Sequence, residues 1–312
     1  MNPLPGIKPL PHQPPQIVRA NGIDICYEIF GSDDAEPLLL IMGLGAQMIL
    51  WDDEFCERLA ARGFRVIRFD NRDIGKSGRL TGGGPLRPIE LLKLRFLKLP
   101  LAAPYKLIDM AKDTIGLMHA LGIQSAHLVG ASMGGMVAQE IAISFPQAVR
   151  SVTSIMSTTG NPKLPPPSRA AMALLMAPTP KSREEYIQRF ANTWKFLRVG
   201  SFPEDEARDG SLAMRTHERG LNPAGVGRQL RAVLASGSRK ERLHAVKAAT
   251  LVIHGTVDPL VHPDGGKDTA ASIPGAKLLM IEGMGHALPI PMWPQIIDAI
   301  DQHAHGAAAR AA

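Results

Sequence analysis

The strongest constraint on the fold is the way Ala126-His127-Leu128-Val129, a strand-like run, passes directly into Gly130-Ala131-Ser132-Met133-Gly134. A helical pattern from Met133 to Ser144 follows, closed by Pro146. A strand that turns into a helix over one residue holds that residue in a strained backbone conformation, and glycines two positions either side leave room for the neighbouring chain. The strand-then-helix order recurs. Leu38-Leu39-Leu40-Ile41-Met42 is apolar on both faces, as a buried parallel strand requires, and opens into Gly43-Leu44-Gly45. A helix is predicted from Trp51 to Arg62, a strand over Arg65 to Phe69, a helix over Ile108 to Leu121 and a strand over Val149 to Ile155. This alternation predicts an α/β fold with a mostly parallel central sheet and helices on both faces.

Ile17 to Ala20 and Ile23 to Phe30, joined by Asn21-Gly22, predict an antiparallel hairpin ahead of the sheet. Residues 1–16 carry Pro3, Pro5, Pro9, Pro11, Pro14 and Pro15; they read as an extended, mobile lead-in and not as the apolar helix of a signal peptide. Between Ser157 and Arg242 the alternation stops, with helices near Arg183 to Leu197 and Gly225 to Ala235 and no strand. Thr250 to His254 and Lys277 to Ile281 resume it as strands, and Pro294 to His303 is a closing helix. The core is therefore expected over 17–156 and 243–304, with a helical cap insertion at 157–242 and a frayed alanine-rich tail at 305–312.

Composition narrows the function class. The 312 residues are 45% apolar, enough for a sizeable core, and no apolar run reaches the ~20 residues of a membrane span. The formal charge of +6 is scattered among acidic residues without a recognition motif, so nucleic acid is not an expected partner. Cys26 and Cys56 have no metal-ligand spacing and read as reduced core residues. A cytoplasmic location follows by default; the oligomeric state is left open.

Ser132 stands where a nucleophile would. A serine hydroxyl attacks well only when a base takes its proton and an acid fixes that base in one tautomer. Asp258, in His254-Gly255-Thr256-Val257-Asp258-Pro259, and His286, in Glu282-Gly283-Met284-Gly285-His286, each follow a predicted strand, where open α/β sheets place their sites. His254 and His262 compete for the base role. The first is discounted because it ends a strand inside the core, the second because it shares the acid's loop. Glu282 is the reserve acid, too close in sequence to His286 to orient it. Acyl transfer also needs donors for the developing oxyanion, and the backbone N–H groups of Met133 and Leu44 are the candidates.

Ile41 to Gln47, Phe69-Asp70-Asn71-Arg72-Asp73-Ile74-Gly75-Lys76-Ser77, Gly130 to Gly135 and His254 to Leu260 together resemble the α/β-hydrolase superfamily, and within it bacterial esterases related to the aclacinomycin methylesterase. The resemblance runs from about Ile17 to His303. It implies a Ser132, Asp258 and His286 triad, with Leu44 and Met133 as oxyanion donors and Gly130 and Gly134 as the glycines of the turn. The chain departs from many relatives at Met42-Gly43, where they carry His-Gly; this should alter pocket polarity more than mechanism.

Two other motifs fail. Gly75-Lys76-Ser77 ends like a phosphate loop, but Asp70 takes the place of its first glycine, and Gly43-Leu44-Gly45 has Met48 where a dinucleotide fingerprint needs its third. No metal, nucleotide or redox cofactor is implied. Leu86 to Tyr105 reads either as a lid touching an anionic surface or, preferably, as a short helix with its basic residues in water. Met172, Leu174, Leu175, Met176, Trp194, Phe196 and Leu197 are expected mainly to form the insertion's own core, with some lining a pocket. The expected activity is hydrolysis of a moderately apolar small-molecule ester. The alternatives are lactone or carbon–carbon bond hydrolysis or perhydrolysis with the same residues, and a ligand-binding protein with little turnover.

Overall fold

The computed structural model describes residues 11–83, 90, 101–177, 180–203 and 205–311. Its strands are β1 His12–Ala20, β2 Ile23–Phe30, β3 Glu36–Ile41, β4 Phe64–Phe69, β5 Ala126–Ala131, β6 Val149–Ile155, β7 Ala249–Gly255 and β8 Lys277–Ile281. The helices that matter here are α1 Asp53–Ala60, α2 Leu107–Ala120, α3 Met133–Ser144, α4 Arg169–Leu175, α5 Arg183–Arg198, α6 Glu206–Glu218, α7 Pro223–Ser236, α8 Lys240–Leu243, α9 Asp264–Ser272 and α10 Trp293–Ala311.

The strands form one eight-stranded sheet in the order β1-β2-β4-β3-β5-β6-β7-β8. β2 pairs antiparallel with β1 and β4, and the pairs from β4 onward are parallel. Successive side chains of β3 point to opposite faces. Leu39 and Ile41 pack with residues of α2 and α3, while Leu38 and Leu40 pack with α1 and α10, which is why the run has to be apolar throughout. The chain leaves β3 toward β4 on one side, and β5 lies on the other. The loops after β3 and β5 thus diverge, opening a crevice at the carboxyl ends of the strands.

The sequence reading needs correction at both ends. β1 begins at His12, inside the stretch read as a mobile lead-in, because an irregularity between Gln13 and Gln16 absorbs the two prolines on an edge strand. The tail expected to fray, 305–312, continues as helix through Ala311: Ala307 is buried, and His305 stacks on Phe64 at 4.7 Å. The Asn21-Gly22 turn is as expected, both residues having positive φ. α4, α6, α8 and α9 have no counterpart among the elements expected from the sequence. The buried positions of α6 are Asp209, Ala213 and Thr216, and those of α9 are Gly265, Gly266, Thr269 and Ser272, so neither shows an apolar period. Of Leu86 to Tyr105, residues 86–89 and 91–100 lie outside the described residues; Glu90 pairs with Arg231 of α7 at 2.8 Å. Among the described residues no helix is long and apolar enough to cross a membrane.

Candidate active site

Ser132 lies between β5 and α3 with φ 55° and ψ −119°, a conformation that costs a non-glycine residue roughly 1–3 kcal/mol. Surrounding bonds hold it there. Its N–H donates to Ile155 O at 2.9 Å, and its carbonyl accepts from Ser157 Oγ at 2.8 Å. The flanking glycines are required by contact: a Cβ on Gly130 would overlap the Gly134 carbonyl, and one on Gly134 would overlap the Ile41 carbonyl at the end of β3.

Asp258 follows β7 and His286 follows β8. His286 Nε2 is 3.0 Å from Ser132 Oγ, and its Nδ1 is 2.7 Å from Asp258 Oδ2. Asp258 and His286 are buried, whereas Ser132 is partly exposed. The two loops are tied together, since Thr256 N–H donates to Ile281 O at 3.1 Å and Gly283 N–H to Thr256 Oγ1 at 3.0 Å. Leu197 O, near the end of α5, accepts from His286 N–H at 2.8 Å, so the helical insertion also fixes this loop.

Burial alone would raise the pKa of Asp258. The adjacent His286, hydrogen bonds from His254 and His286 and the Val261 N–H outweigh it, holding the carboxyl well below the usual carboxylate range. Its other oxygen accepts from the N–H groups of Leu260 and Val261, each at 2.8 Å.

The competing residues fall elsewhere. Glu282 and His262 are exposed, although His262 reaches the rim of the cavity described below. His254 is fully buried behind the acid, with Nε2 at 2.9 Å from Val261 O and 3.4 Å from Asp258 Oδ2. A carbonyl oxygen only accepts, so Nε2 carries a proton that it donates to Val261 O, beside the carboxylate. The sequence reading missed this supporting role; the four-residue spacing from Asp258 was its only trace.

The loop after β3 is pinned at both ends. Asn71 Nδ2 donates to Met42 O at 2.9 Å, while Gly45 N–H donates to Gln229 Oε1 at 2.9 Å and Gln229 Nε2 to Arg72 O at 3.0 Å. Gln229 is fully buried and comes from α7 in the insertion. A Cβ on Gly43 would come within 3.1 Å of the Ser132 Cβ, so the loop passes directly over the serine. Among the described residues neither Leu44 N–H nor Met133 N–H donates to an acceptor. Replacing Gln229 with leucine strands the buried Arg72 carbonyl and frees the half-buried Gly45 N–H, so a loss of about 1–3 kcal/mol is expected in urea unfolding.

The loop resembling a phosphate cradle closes on a carboxylate. Asp70 accepts from Lys76 N–H at 3.0 Å, Met48 N–H at 2.8 Å and Arg219 Nη2 at 2.5 Å.

Ser132, His286, Leu44 and Met133 open into a cavity of about 580 Å³. Met42, Met136, Met156, Met172 and Met176 line it, as do Leu175, Tyr186, Phe190, Trp194 and Leu197. Of the insertion residues singled out by sequence, Leu174 and Phe196 alone do not reach it, so most of that set faces the cavity and not a separate core. α5 presents this face because Tyr186, Phe190, Trp194 and Leu197 recur at helical spacing.

A second serine–histidine–carboxylate chain shows why access matters. At the opposite end of the sheet, His127 Nδ1 is 2.8 Å from Ser151 Oγ and its Nε2 is 3.3 Å from Glu36 Oε2. Ser151 is only 2% exposed, so no substrate can meet it. Burial pushes the His127 ring down to about 4 against the pull of Glu36. Between the usual histidine value of 6.5 and about 4, only the unfolded chain takes up the proton. Stability is therefore complete above that window and falls as pH drops through it, by roughly 3 kcal/mol. Denaturant titrations across these pH values should show the fall, flattened in His127→Gln.

A family model of the α/β-hydrolase fold matches residues 36–291. The chain is 28% identical over 315 residues to rhodomycin D methylesterase DauP of Streptomyces sp. (strain C5), covering 94% of this chain and 99% of the relative. It is also 28% identical over 316 residues to rhodomycin D methylesterase DnrP of Streptomyces peucetius, with the same coverage of 94% and 99%. The crystal structure of a hydrolase from Pseudomonas aeruginosa PA01 superposes with a TM-score of 0.68 at 24% identity, over 94% of this chain and 98% of that one. With the sheet order, the strained serine between β5 and α3 and this match over most of its length, the chain belongs to the α/β-hydrolase fold family.

Proposed function

We propose that the chain is a carboxylic-ester hydrolase that forms an acyl-enzyme on Ser132, acting on a small-molecule ester with apolar substituents. One observation carries the reading: an unbroken Ser132–His286–Asp258 hydrogen-bond chain meets a large apolar cavity beside two unpaired backbone N–H groups. The two Streptomyces relatives, methylesterases by name, support an ester as the bond cleaved.

In this reading Asp258, ionised throughout, accepts from His286 Nδ1–H and leaves the Nε2 lone pair facing Ser132 Oγ. As Oγ attacks the ester carbon, its proton passes to Nε2. The negative charge gathers on the carbonyl oxygen, where the N–H groups of Leu44 and Met133 receive it, each such donor contributing about 3–4 kcal/mol to the transition state. Met133 adds the positive end of the α3 dipole. Collapse of the intermediate returns the proton from Nε2 to the departing alkoxide, leaving the acyl group on Oγ. Water, deprotonated by the same Nε2, then attacks the acyl carbon. The acyl–Oγ bond breaks as Nε2 returns that proton to Ser132 Oγ, and the acid leaves with the serine restored. The strained backbone at Ser132 keeps Oγ exposed at the head of the helix through both halves of the cycle.

Hydrolysis of p-nitrophenyl esters tests the proposal when activity is titrated with a serine-directed fluorophosphonate. Turnover should disappear in proportion to label incorporated, at one label per chain. Turnover surviving complete labelling would reject it.

A further inference from the structure

Beside the main cavity lies a chamber of about 100 Å³. Met42, Leu50, Ala131, Met156 and Trp194 line both spaces. Ala131 immediately precedes the nucleophile and Met42 immediately precedes Gly43, so the shared wall adjoins the reacting centre. The chamber's own walls include Trp51, Phe55, Leu212, Leu288 and Trp293.

Charged residues reach its rim: both arginines are ion-paired, and Asp205 is the exposed N-cap of α6. Arg198 Nη2 meets Asp209 Oδ1 at 2.6 Å, Arg208 Nε meets Asp52 Oδ2 at 2.8 Å, and Asp205 accepts the Arg208 N–H at 2.9 Å. An anionic substituent would find both arginines already paired and would lose its hydration. The main cavity has no carboxylate among its described lining residues.

We propose, on the ester-hydrolase reading above, that the substrate is an ester with two unequal arms, the short one apolar and seated in this chamber and the bulky one in the main cavity. Size sets the limits. An apolar cavity of about 150 Å³ holds benzene, so the chamber accepts an alkyl group of about three or four carbons. The main cavity, several times larger, accommodates a fused-ring or long branched group.

Two ester series test this. One varies the alcohol from methyl to hexyl on a single bulky aromatic acid; the other varies the acyl chain from acetyl to hexanoyl on a single bulky aromatic alcohol. In one series, whichever places its variable arm in the chamber, kcat/KM should hold or rise to three or four carbons and then fall about tenfold per further methylene. Leu212→Phe should move that break to a shorter chain and Leu212→Ala to a longer one, each read as a ratio to the same variant's rate on the shortest ester. The opposite directions keep the outcome clear of any loss of folded protein. A smooth dependence in both series, or a break that ignores Leu212, overturns the chamber assignment while leaving ester hydrolysis standing. Failure of every ester in both series, with no fluorophosphonate labelling, overturns the ester reading itself and the chamber with it.

Discussion

Ser132→Ala should lower kcat by about 10⁴- to 10⁶-fold while leaving the fold intact. The size of the loss follows from the geometry. His286 Nε2 and Asp258 remain in place in the variant, but without Oγ they have no proton to take and no atom on which to place the acyl group. The loop carrying Leu44 N–H and the head of α3 are untouched, so binding and polarisation of the carbonyl persist and a small residual rate over water is expected. Alanine keeps a Cβ at a position already built to hold one at positive φ, so the urea midpoint should stay close to that of the parent chain. Steady-state kinetics on a p-nitrophenyl ester together with unfolding curves separates the loss of chemistry from any loss of structure.

Gly134→Ala should have the opposite signature, with a large loss of stability as the primary effect. Its new Cβ would run into the Ile41 carbonyl and lie 2.9 Å from the Met42 carbonyl oxygen. These are backbone atoms at the end of β3 and cannot rotate away. Either α3 moves off the sheet, breaking contacts of the buried Val137 and Ile141, or β3 moves and carries Met42 and Gly43 with it. A cost of roughly 3–5 kcal/mol is expected in chemical denaturation. Whatever protein remains folded should lose activity as well, because the displaced segment leads straight into Leu44. Full stability in Gly134→Ala would mean that the close passage of β3 over α3 is wrong.

How far the sequence could be read depends on where periodicity and chemistry coincide. β6, β8 and α3 match the sequence expectation residue for residue. α3 packs apolar positions into the core and is closed by Pro146, whereas β8 is an edge strand with Leu278 exposed and is legible only from its apolar run and from Gly275 and Gly283. Ser132, Asp258 and His286, each placed after a strand, are brought within hydrogen-bonding reach because parallel strands deliver their carboxyl ends to one edge of the sheet. α6 and α9 were invisible because they pack through glycine, alanine, threonine and aspartate, which carry no apolar signal. Asn71 and Gln229 were missed for a different reason. Each matters only through a bond to a backbone atom of the loop after β3, and Gln229 reaches it from a helix more than 180 residues further along the chain. Such long-range support leaves no local pattern. The stacking of His305 on Phe64 likewise cannot be inferred from an alanine-rich tail.

A crystal structure of the phosphonylated protein tests the central claim most directly. The account predicts phosphorus bonded to Ser132 Oγ, with one phosphoryl oxygen about 2.7–3.1 Å from both Leu44 N and Met133 N, and His286 Nε2 facing the leaving-group position. Phosphorus on any other residue, or a phosphoryl oxygen turned away from those two N–H groups, would contradict it.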